Sequence, residues 1–510
     1  MSKPLFQSIF TISFFTAISR IFGFIRDILI ARYLGVSMMS DVFFAAFRLP
    51  NFFRRIFAEG AFNSAFVPIF IHNNEKNPRR AKDFVRNIFS LLLYILLFFV
   101  MMMQIFMPFI MKSFFPGFYD DRIKFDLLVN ISHITIFYLI FISLISLMSG
   151  VLNSMSKFAA PAATPIILNL TLIFSLFAIS SITPNYAYAL SWGVFIAGIL
   201  QFAWLFIFTA KIGFLVYPAI PKINSDIINF FRKFIPAIIG ANVMQINLLI
   251  DSIFASMTVG AISYLYYADR VNQLPLALIG IAIGVALLPK LSSLIKRGKS
   301  QDAIKLQNLA IKVGILLALP AGLGLAILSY EIIYVLFERG SFTNIETINV
   351  SKALSLYALA LPAYILVKVL EPSFFARGNT KTPMKIALIC VIINASLNML
   401  FYKAGYGFLG IILAAIIASY LNLALILKCL ISRNYFKFIN FLPRTCVRLI
   451  MPSFLMAMSL IALSELGLFN ISSNPPISLF LKILVSILLY LLFLYIFDLN
   501  KILKNSKKEH

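Results

Sequence analysis

The feature that most constrains this chain is a series of long apolar stretches that recurs along its whole length. Fourteen segments, at about 8–34, 40–70, 84–111, 127–153, 159–180, 186–210, 234–257, 263–289, 306–329, 348–371, 384–402, 407–427, 446–464 and 478–497, are long and apolar enough to cross a bilayer, which takes about 20 residues. Hydrocarbon offers no partner to a backbone N–H or C=O, so such stretches fold as helices that satisfy their own backbone. The sequence therefore predicts an all-α, polytopic membrane protein of fourteen transmembrane helices surrounded by membrane lipids. Only 12% of the residues are charged, against about 25% in a soluble domain, and a water-soluble fold is excluded. The connectors are too short to hold a separate catalytic domain.

The first stretch carries Arg20 and Arg26 and lacks a small-residue cleavage site, so it is expected to remain as span one rather than leave as a signal peptide. Cys390, Cys429 and Cys446 lie in or beside spans without metal-type spacing and read as buried thiols. A net charge of +25 raises nucleic acid as a partner, but the distribution of the basic residues points elsewhere. Counted alternately from the N-terminus, one set of connectors holds clusters such as Lys76, Arg79, Arg80, Lys82 and Arg86, then Lys211, Lys222, Arg232 and Lys233, then Lys290 through Lys305 and Lys312. The opposite set holds only Lys112, Arg122, Lys124, Arg339, Lys352 and Lys403. That asymmetry places both termini in the cytoplasm. No nucleic acid is expected, and the chain is expected to act as a monomer.

The two halves echo each other. Asp27–Ala31 resembles Asp251–Ala255, Ala46-Phe-Arg48-Leu resembles Ala268-Asp-Arg270-Val, Val67-Pro68 matches Leu288-Pro289, and Lys157 before Pro161 parallels Lys381 before Pro383, all at an offset of about 222 residues. Such an offset spans six helices, so the copies share one orientation and are related by an axis along the membrane normal. The expected organisation is an N-lobe over 1–215, a C-lobe over 216–432, and two extra spans within 433–510. A cavity between two such lobes, opened alternately by rocking, is the usual place for a substrate.

Charges inside the spans indicate what that substrate is. Span one reads Ser19-Arg20-Ile-Phe-Gly23-Phe-Ile-Arg26-Asp27, with Arg20 about 18 Å along the helix. A charge at that depth costs at least about 2.5 kcal/mol. Arg20, Gly23 and Asp27 share one face and Arg26 points away from it, so Asp27 can partner either arginine. Span two carries Asp41, Arg48, Arg55 and Glu59 on one stripe, with Arg54 beside it and Pro50 placed to kink the helix. Span eight contains Tyr266-Tyr267-Ala268-Asp269-Arg270. The bland alternative is that these arginines pair with Asp27, Asp41, Glu59 and Asp269 and only hold helices together. Yet Arg20, Arg26, Arg32, Arg48, Arg54, Arg55 and Arg270 outnumber the carboxylates. A positive cavity calls for an anion, and the planar guanidinium fork suits the oxygens of a phosphate or pyrophosphate.

Arg20-x-x-Gly-x-x-Arg26-Asp27, the stretch from Asp41 through Leu49-Pro-Asn51-x-x-Arg54-Arg55-Ile-Phe-Ala-Glu59-Gly60-Ala61-Phe62, and Tyr266-Tyr-Ala-Asp-Arg270 closely resemble the MurJ (MviN) family of bacterial lipid II flippases. Pro161 and Pro165, Lys368-Val-Leu and Lys381-Thr-Pro383 extend the resemblance over most of the chain. It implies membership of the multidrug/oligosaccharidyl-lipid/polysaccharide exporter superfamily and residence in the bacterial inner membrane. The implied substrate is undecaprenyl-pyrophosphoryl-disaccharide-pentapeptide, carried to the outer leaflet for peptidoglycan synthesis. Arg20, Arg26 and Arg270 would engage the pyrophosphate. Asp27, Asp41, Arg54, Arg55, Glu59 and Asp269 would line the cavity or gate it, and spans thirteen and fourteen would form the groove for the prenyl tail. Some relatives bear a sodium site between spans seven, eleven and twelve. Here Asn247, Asp251, Asn394 and Asn398 offer hard oxygen ligands for one, with interhelical hydrogen bonding as the alternative. No other cofactor is implied.

Nothing in the sequence resembles a nucleotide-binding P-loop, a metal cluster or a catalytic triad, and His72 and His133 are isolated, so a transporter rather than an enzyme is expected. A cation exporter of the same superfamily would want a carboxylate surplus. A non-transporting scaffold for peptidoglycan enzymes would lock each cavity arginine to a carboxylate. The membrane potential is the expected driving force, worth about 2.3 kcal/mol per charge per 100 mV.

Overall fold

The computed structural model describes residues 3–58, 61–241, 243–439, 443–468 and 474–497, and within them all side chains except those of 3–9, 55–58, 61, 236–241, 243–244 and 443–444. Among the described residues the chain is mostly helical, with 214–224 an irregular connector, and contains no strand. Its contacts divide it into two units, 1–263 with 339–342, and 264–338 with 343–510.

The first unit contains α1 (Lys3–Leu34), α2 (Met38–Ala58), α3 (Ala61–Lys76), α4 (Pro78–Ile105), α5 (Met107–Phe114), α6 (Arg122–Thr135), α7 (Tyr138–Ser154), α8 (Ala159–Phe174), α9 (Tyr186–Lys211), α10 (Ser225–Ala241), α11 (Val243–Ser256) and the first residues of α12 (Ala261–Pro275). The span formed by α6 and α7 is its axle. Its α7 half is apolar on every side, the most apolar stretch of Arg122–Ser154 is 78% buried, and α7 packs on α2, α3, α4 and α9, as a helix without a polar face must. Its hydroxyls turn inward, Ser143 and Ser146 donating to the carbonyls of Leu139 and Ile142. Helix α8 carries Pro165, ends in a π-turn at Ser175–Ile179 and packs on both α1 and α9. Helix α2 passes through Pro50 without a break.

The sequence repeat assigns span seven to the second lobe, whereas its packing ties α10 and α11 to the first unit. Phe62 meets the rings of Phe230 and Phe234 at 5.4 and 5.7 Å, and Arg80 pairs with Asp226 at 2.9 Å. Sequence similarity records which helices correspond, while contacts record which ones pack together.

The second unit contains the rest of α12, a π-turn at Leu276–Ile281, α13 (Ala282–Lys296), α14 (Ser300–Ile327), α15 (Ser329–Phe337), α16 (Asn344–Phe375), α17 (Lys381–Lys403), α18 (Gly407–Ser432), α19 (Pro443–Glu465) and α20 (Pro475–Ile496). Helix α16 starts in a capping box of Thr343 and Glu346 and packs against α13, α14, α15 and α18. Helices α19 and α20 lie against each other and against α14 and α15. Polar ties hold them there. The Tyr490 hydroxyl donates to Leu316 O at 2.5 Å, Lys482 meets Glu331 at 3.2 Å, and Asn308 bonds both Lys437 O and Ile439 N in the preceding connector. Lys312, which the sequence reading places in a connector, is 2% exposed, because α14 has already begun at Ser300.

Eleven helical stretches among the described residues are by themselves long and apolar enough to cross a membrane. They coincide with the expected spans except the first, second and seventh, which are occupied by α1, by α2 with α3, and by α10 with α11. Those three spans hold Arg20, Arg26 and Asp27, Asp41, Arg48 and Arg54, and Asp251.

Candidate functional site

Span one resolves the choice that helical geometry leaves open. The Arg26 guanidinium donates to Asp27 Oδ1 through Nε at 3.0 Å and through Nη2 at 2.7 Å, a fork on a single oxygen. Its Nη1 donates to Asn169 Oδ1 on α8 at 2.9 Å. The same Asn169 donates from Nδ2 to the carbonyl of Ser19 at 2.9 Å. Arg26, Asp27 and Asn169 are 6%, 0% and 6% exposed, so a charged pair and an amide sit together in the packed contact of α1 with α8. Arg20, one residue beyond Ser19, is exposed and takes part in no ion pair among the described residues. The two arginines of span one thus have different settings, one clamped and one open.

Asp41 occupies the second charged centre. Its Oδ2 accepts from Lys124 Nζ at 3.0 Å and from Gly260 N at 3.1 Å, and its Oδ1 accepts from Ser263 N at 3.1 Å and the Ser263 hydroxyl at 2.7 Å. Gly260 and Ser263 are the opening residues of α12, so a carboxylate from α2 caps that helix from outside, where exposed N–H groups and the helix dipole favour negative charge. Lys124 lies 3.8 Å from the Phe118 ring and is 8% exposed. In the sequence it counts as a connector charge, yet the structure makes it the partner of Asp41. Near the end of α1, the loop 339–342 docks through Ser341 N donating to Arg32 O at 2.8 Å. Gly35 and Gly340, at φ +57° and +61°, make that approach possible, since a Cβ at either would run into the backbone of Ser341 or Arg32.

The remaining candidates are dispersed. Arg54 donates to Asn51 Oδ1 at 3.0 Å. Arg48 reaches the Ser252 hydroxyl and the Leu248 carbonyl on α11 rather than an interface. Glu59 and the side chain of Arg55 lie outside the described residues. Asp269 accepts from Gln273 one turn further along α12, and both Asp269 and Arg270 are half-buried in the second unit. Of the residues considered for sodium, Asn247 donates to Asp251 at 3.1 Å within α11 of the first unit, and Asn394 and Asn398 are buried in α17 of the second. Among the described residues no group of three or more His, Cys, Asp or Glu is placed to hold a metal. The functional centres thus include three residues that sequence reading passed over, Asn169, Lys124 and Ser263. Polar side chains in spans are the only signal they leave, and such residues are common there.

Two helical units with charges kept inside their spans define a class, a polytopic helical membrane fold. An inward-facing multidrug resistance MATE family transporter of the MOP superfamily shares that fold at a TM-score of 0.65 and 11% identity, over 82% of this chain and 95% of the other. Within the class the chain belongs to the lipid II flippase MurJ family, whose sequence profile matches residues 30–480. A probable lipid II flippase MurJ of Rickettsia prowazekii (strain Madrid E) is 43% identical over 428 residues, 83% of each protein. A solved structure of the lipid II flippase MurJ in an inward closed conformation superposes at a TM-score of 0.82 with 31% identity, over 96% of this chain and 99% of the other.

Proposed function

We propose that this protein is a lipid II flippase of the bacterial inner membrane. It moves undecaprenyl-pyrophosphoryl-disaccharide-pentapeptide from the inner to the outer leaflet by alternating access and so feeds peptidoglycan synthesis of the cell wall. It performs no covalent chemistry and is a transporter rather than an enzyme. The observation that carries this reading is the Arg26 guanidinium, buried in the first span of a member of the MurJ family and oriented by Asp27 and Asn169. A fixed guanidinium in a low-dielectric site is what recognises paired phosphate oxygens.

In this reading Arg20, Arg26 and Arg270 take the pyrophosphate, and Asp27 and Asp269 stand in for it when the substrate is absent. Asp41, Arg54, Arg55 and Glu59 act in gating, with the Asp41 cap on α12 as one gate. Spans thirteen and fourteen carry the prenyl tail, which can stay in hydrocarbon while the polar head crosses. Asn247, Asp251, Asn394 and Asn398 are the residues that would bind a sodium ion. Both termini face the cytoplasm, the protein works as a monomer without nucleic acid, and the membrane potential drives the cycle. The scaffold alternative asks for every cavity arginine to be locked to a carboxylate, and the open setting of Arg20 speaks against it.

The test is replacement of Arg20, Arg26 or Arg270 by Ala in cells lacking their own flippase, followed by measurement of lipid-linked precursor in the outer leaflet. Each variant is expected to lose most translocation. Normal translocation in all three would remove the arginines from the mechanism.

A further inference from the structure

Asn169 makes two bonds that tie α8 to α1. Its Oδ1 accepts from Arg26 Nη1 at 2.9 Å, and its Nδ2 donates to the Ser19 carbonyl at 2.9 Å. An amide carries its acceptor and its donor on two separate atoms at the tip, and here the acceptor meets one substrate arginine while the donor meets the backbone turn that presents the other, Arg20. With Asp27 gripping the Nε and Nη2 edge and Asn169 gripping Nη1, the plane of the Arg26 guanidinium is fixed by partners on two edges. The amide does this without adding charge. A carboxylate at 169 would add a negative charge beside Arg26 and repel an anion. The helix that carries Asn169 is itself irregular, with Pro165 one turn before it and the π-turn Ser175–Ile179 after it. Such bulges concentrate at functional sites.

We infer that Asn169 is a positioning residue of the anion site: it orients Arg26, and the α1 turn bearing Arg20, for the pyrophosphate of lipid II. The inference rests on the flippase reading above. Orientation of this kind improves affinity by removing the entropy cost of ordering a long side chain when the ligand arrives.

The test is a double-mutant cycle on the full-length protein in nanodiscs, titrated with lipid II, with thermal unfolding of every variant measured alongside. Asn169→Ala is expected to weaken lipid II binding about tenfold, the effect of losing one hydrogen bond to a charged group. On an Arg26→Ala background the same change should cost clearly less, about threefold or under, because of its two targets only the Ser19 carbonyl remains. Asn169→Asp has nearly the same shape and keeps the acceptor, so it carries the test if the Ala variant fails to fold. It is expected to bind about a hundredfold more weakly, through the added negative charge. A residue that merely packs α8 on α1 would lower the unfolding midpoint and cost the same affinity on both backgrounds, and that result would overturn the inference, as would near-native binding by Asn169→Asp. If Arg26→Ala itself binds lipid II normally, the assignment of Arg26 to the substrate fails and takes this inference with it. If Arg26→Ala is impaired while both Asn169 variants bind normally, only the role of Asn169 is lost.

Discussion

Asp27 and Asp41 are both sealed from solvent, at 0% and 1% exposed, yet they are held in different ways. Asp41 is bound by two backbone N–H groups at the start of α12, by the Ser263 hydroxyl and by Lys124. Asp27 takes the fork of its neighbour Arg26, whose remaining named partner is the neutral amide of Asn169. Backbone donors at a helix end cannot turn away without moving the helix, so the Asp41 centre is a joint between elements. Side chains can rotate and trade partners, so the Arg26 centre can accept a ligand in place of the bonds it already has. A carboxylate held by backbone ties one helix to another, and one held by an arginine can be exchanged.

The largest effect that would break this comparison is Asp41→Ala. It leaves Lys124 buried without its carboxylate and uncaps α12, and a loss of about 3–5 kcal/mol is expected. That loss would show as a large drop in the thermal unfolding midpoint in detergent. An unchanged midpoint would mean that α12 is held by other contacts and that Asp41 is no joint. Next in size is Asp27→Asn, for which the two properties should move in opposite directions. Stability falls by about 1.5–3 kcal/mol, as expected for a weakened hydrogen bond between charged groups, while affinity for lipid II rises because a competitor for Arg26 has lost its charge. Weaker binding would mean that the grip of Asp27 on the Nε edge of Arg26 matters more to the substrate than the charge with which it competes. The smallest is Ser263→Ala, which removes one of four donors to Asp41 and keeps the Ser263 N–H. About 1 kcal/mol of stability should go, with translocation intact.

Much of this was legible beforehand. The apolar stretches read as helices because a bilayer admits no other way for a single chain segment to satisfy its backbone. The arginines stood out because a charge is costly at that depth and needs a reason to be there. Arg20, Arg26, Asp27 and Asp41 were singled out on that ground alone. Asn169, Lys124 and Ser263 were not. Asn169 is one of several asparagines in spans, Lys124 has the address of a connector residue, and Ser263 is an ordinary hydroxyl at a helix start. Their importance lies in which distant residue each one meets, and the Asn169–Arg26 and Lys124–Asp41 contacts join helices far apart in the chain.

By itself the sequence determined the helical class, the number of expected crossings and the presence of buried positive charge, because each follows from local composition and the physics of a bilayer. Tertiary structure alone decided that Arg26 forks onto Asp27 and reaches Asn169, that Asp41 caps α12 with Lys124 at its side, and that span seven packs with the first unit. Those outcomes depend on distances between side chains carried by different helices. Helical periodicity sets the face on which a residue sits, and packing sets what stands opposite. The arginine in the first span was conspicuous from the start, and the amide that aims it became visible only when α8 lay against α1.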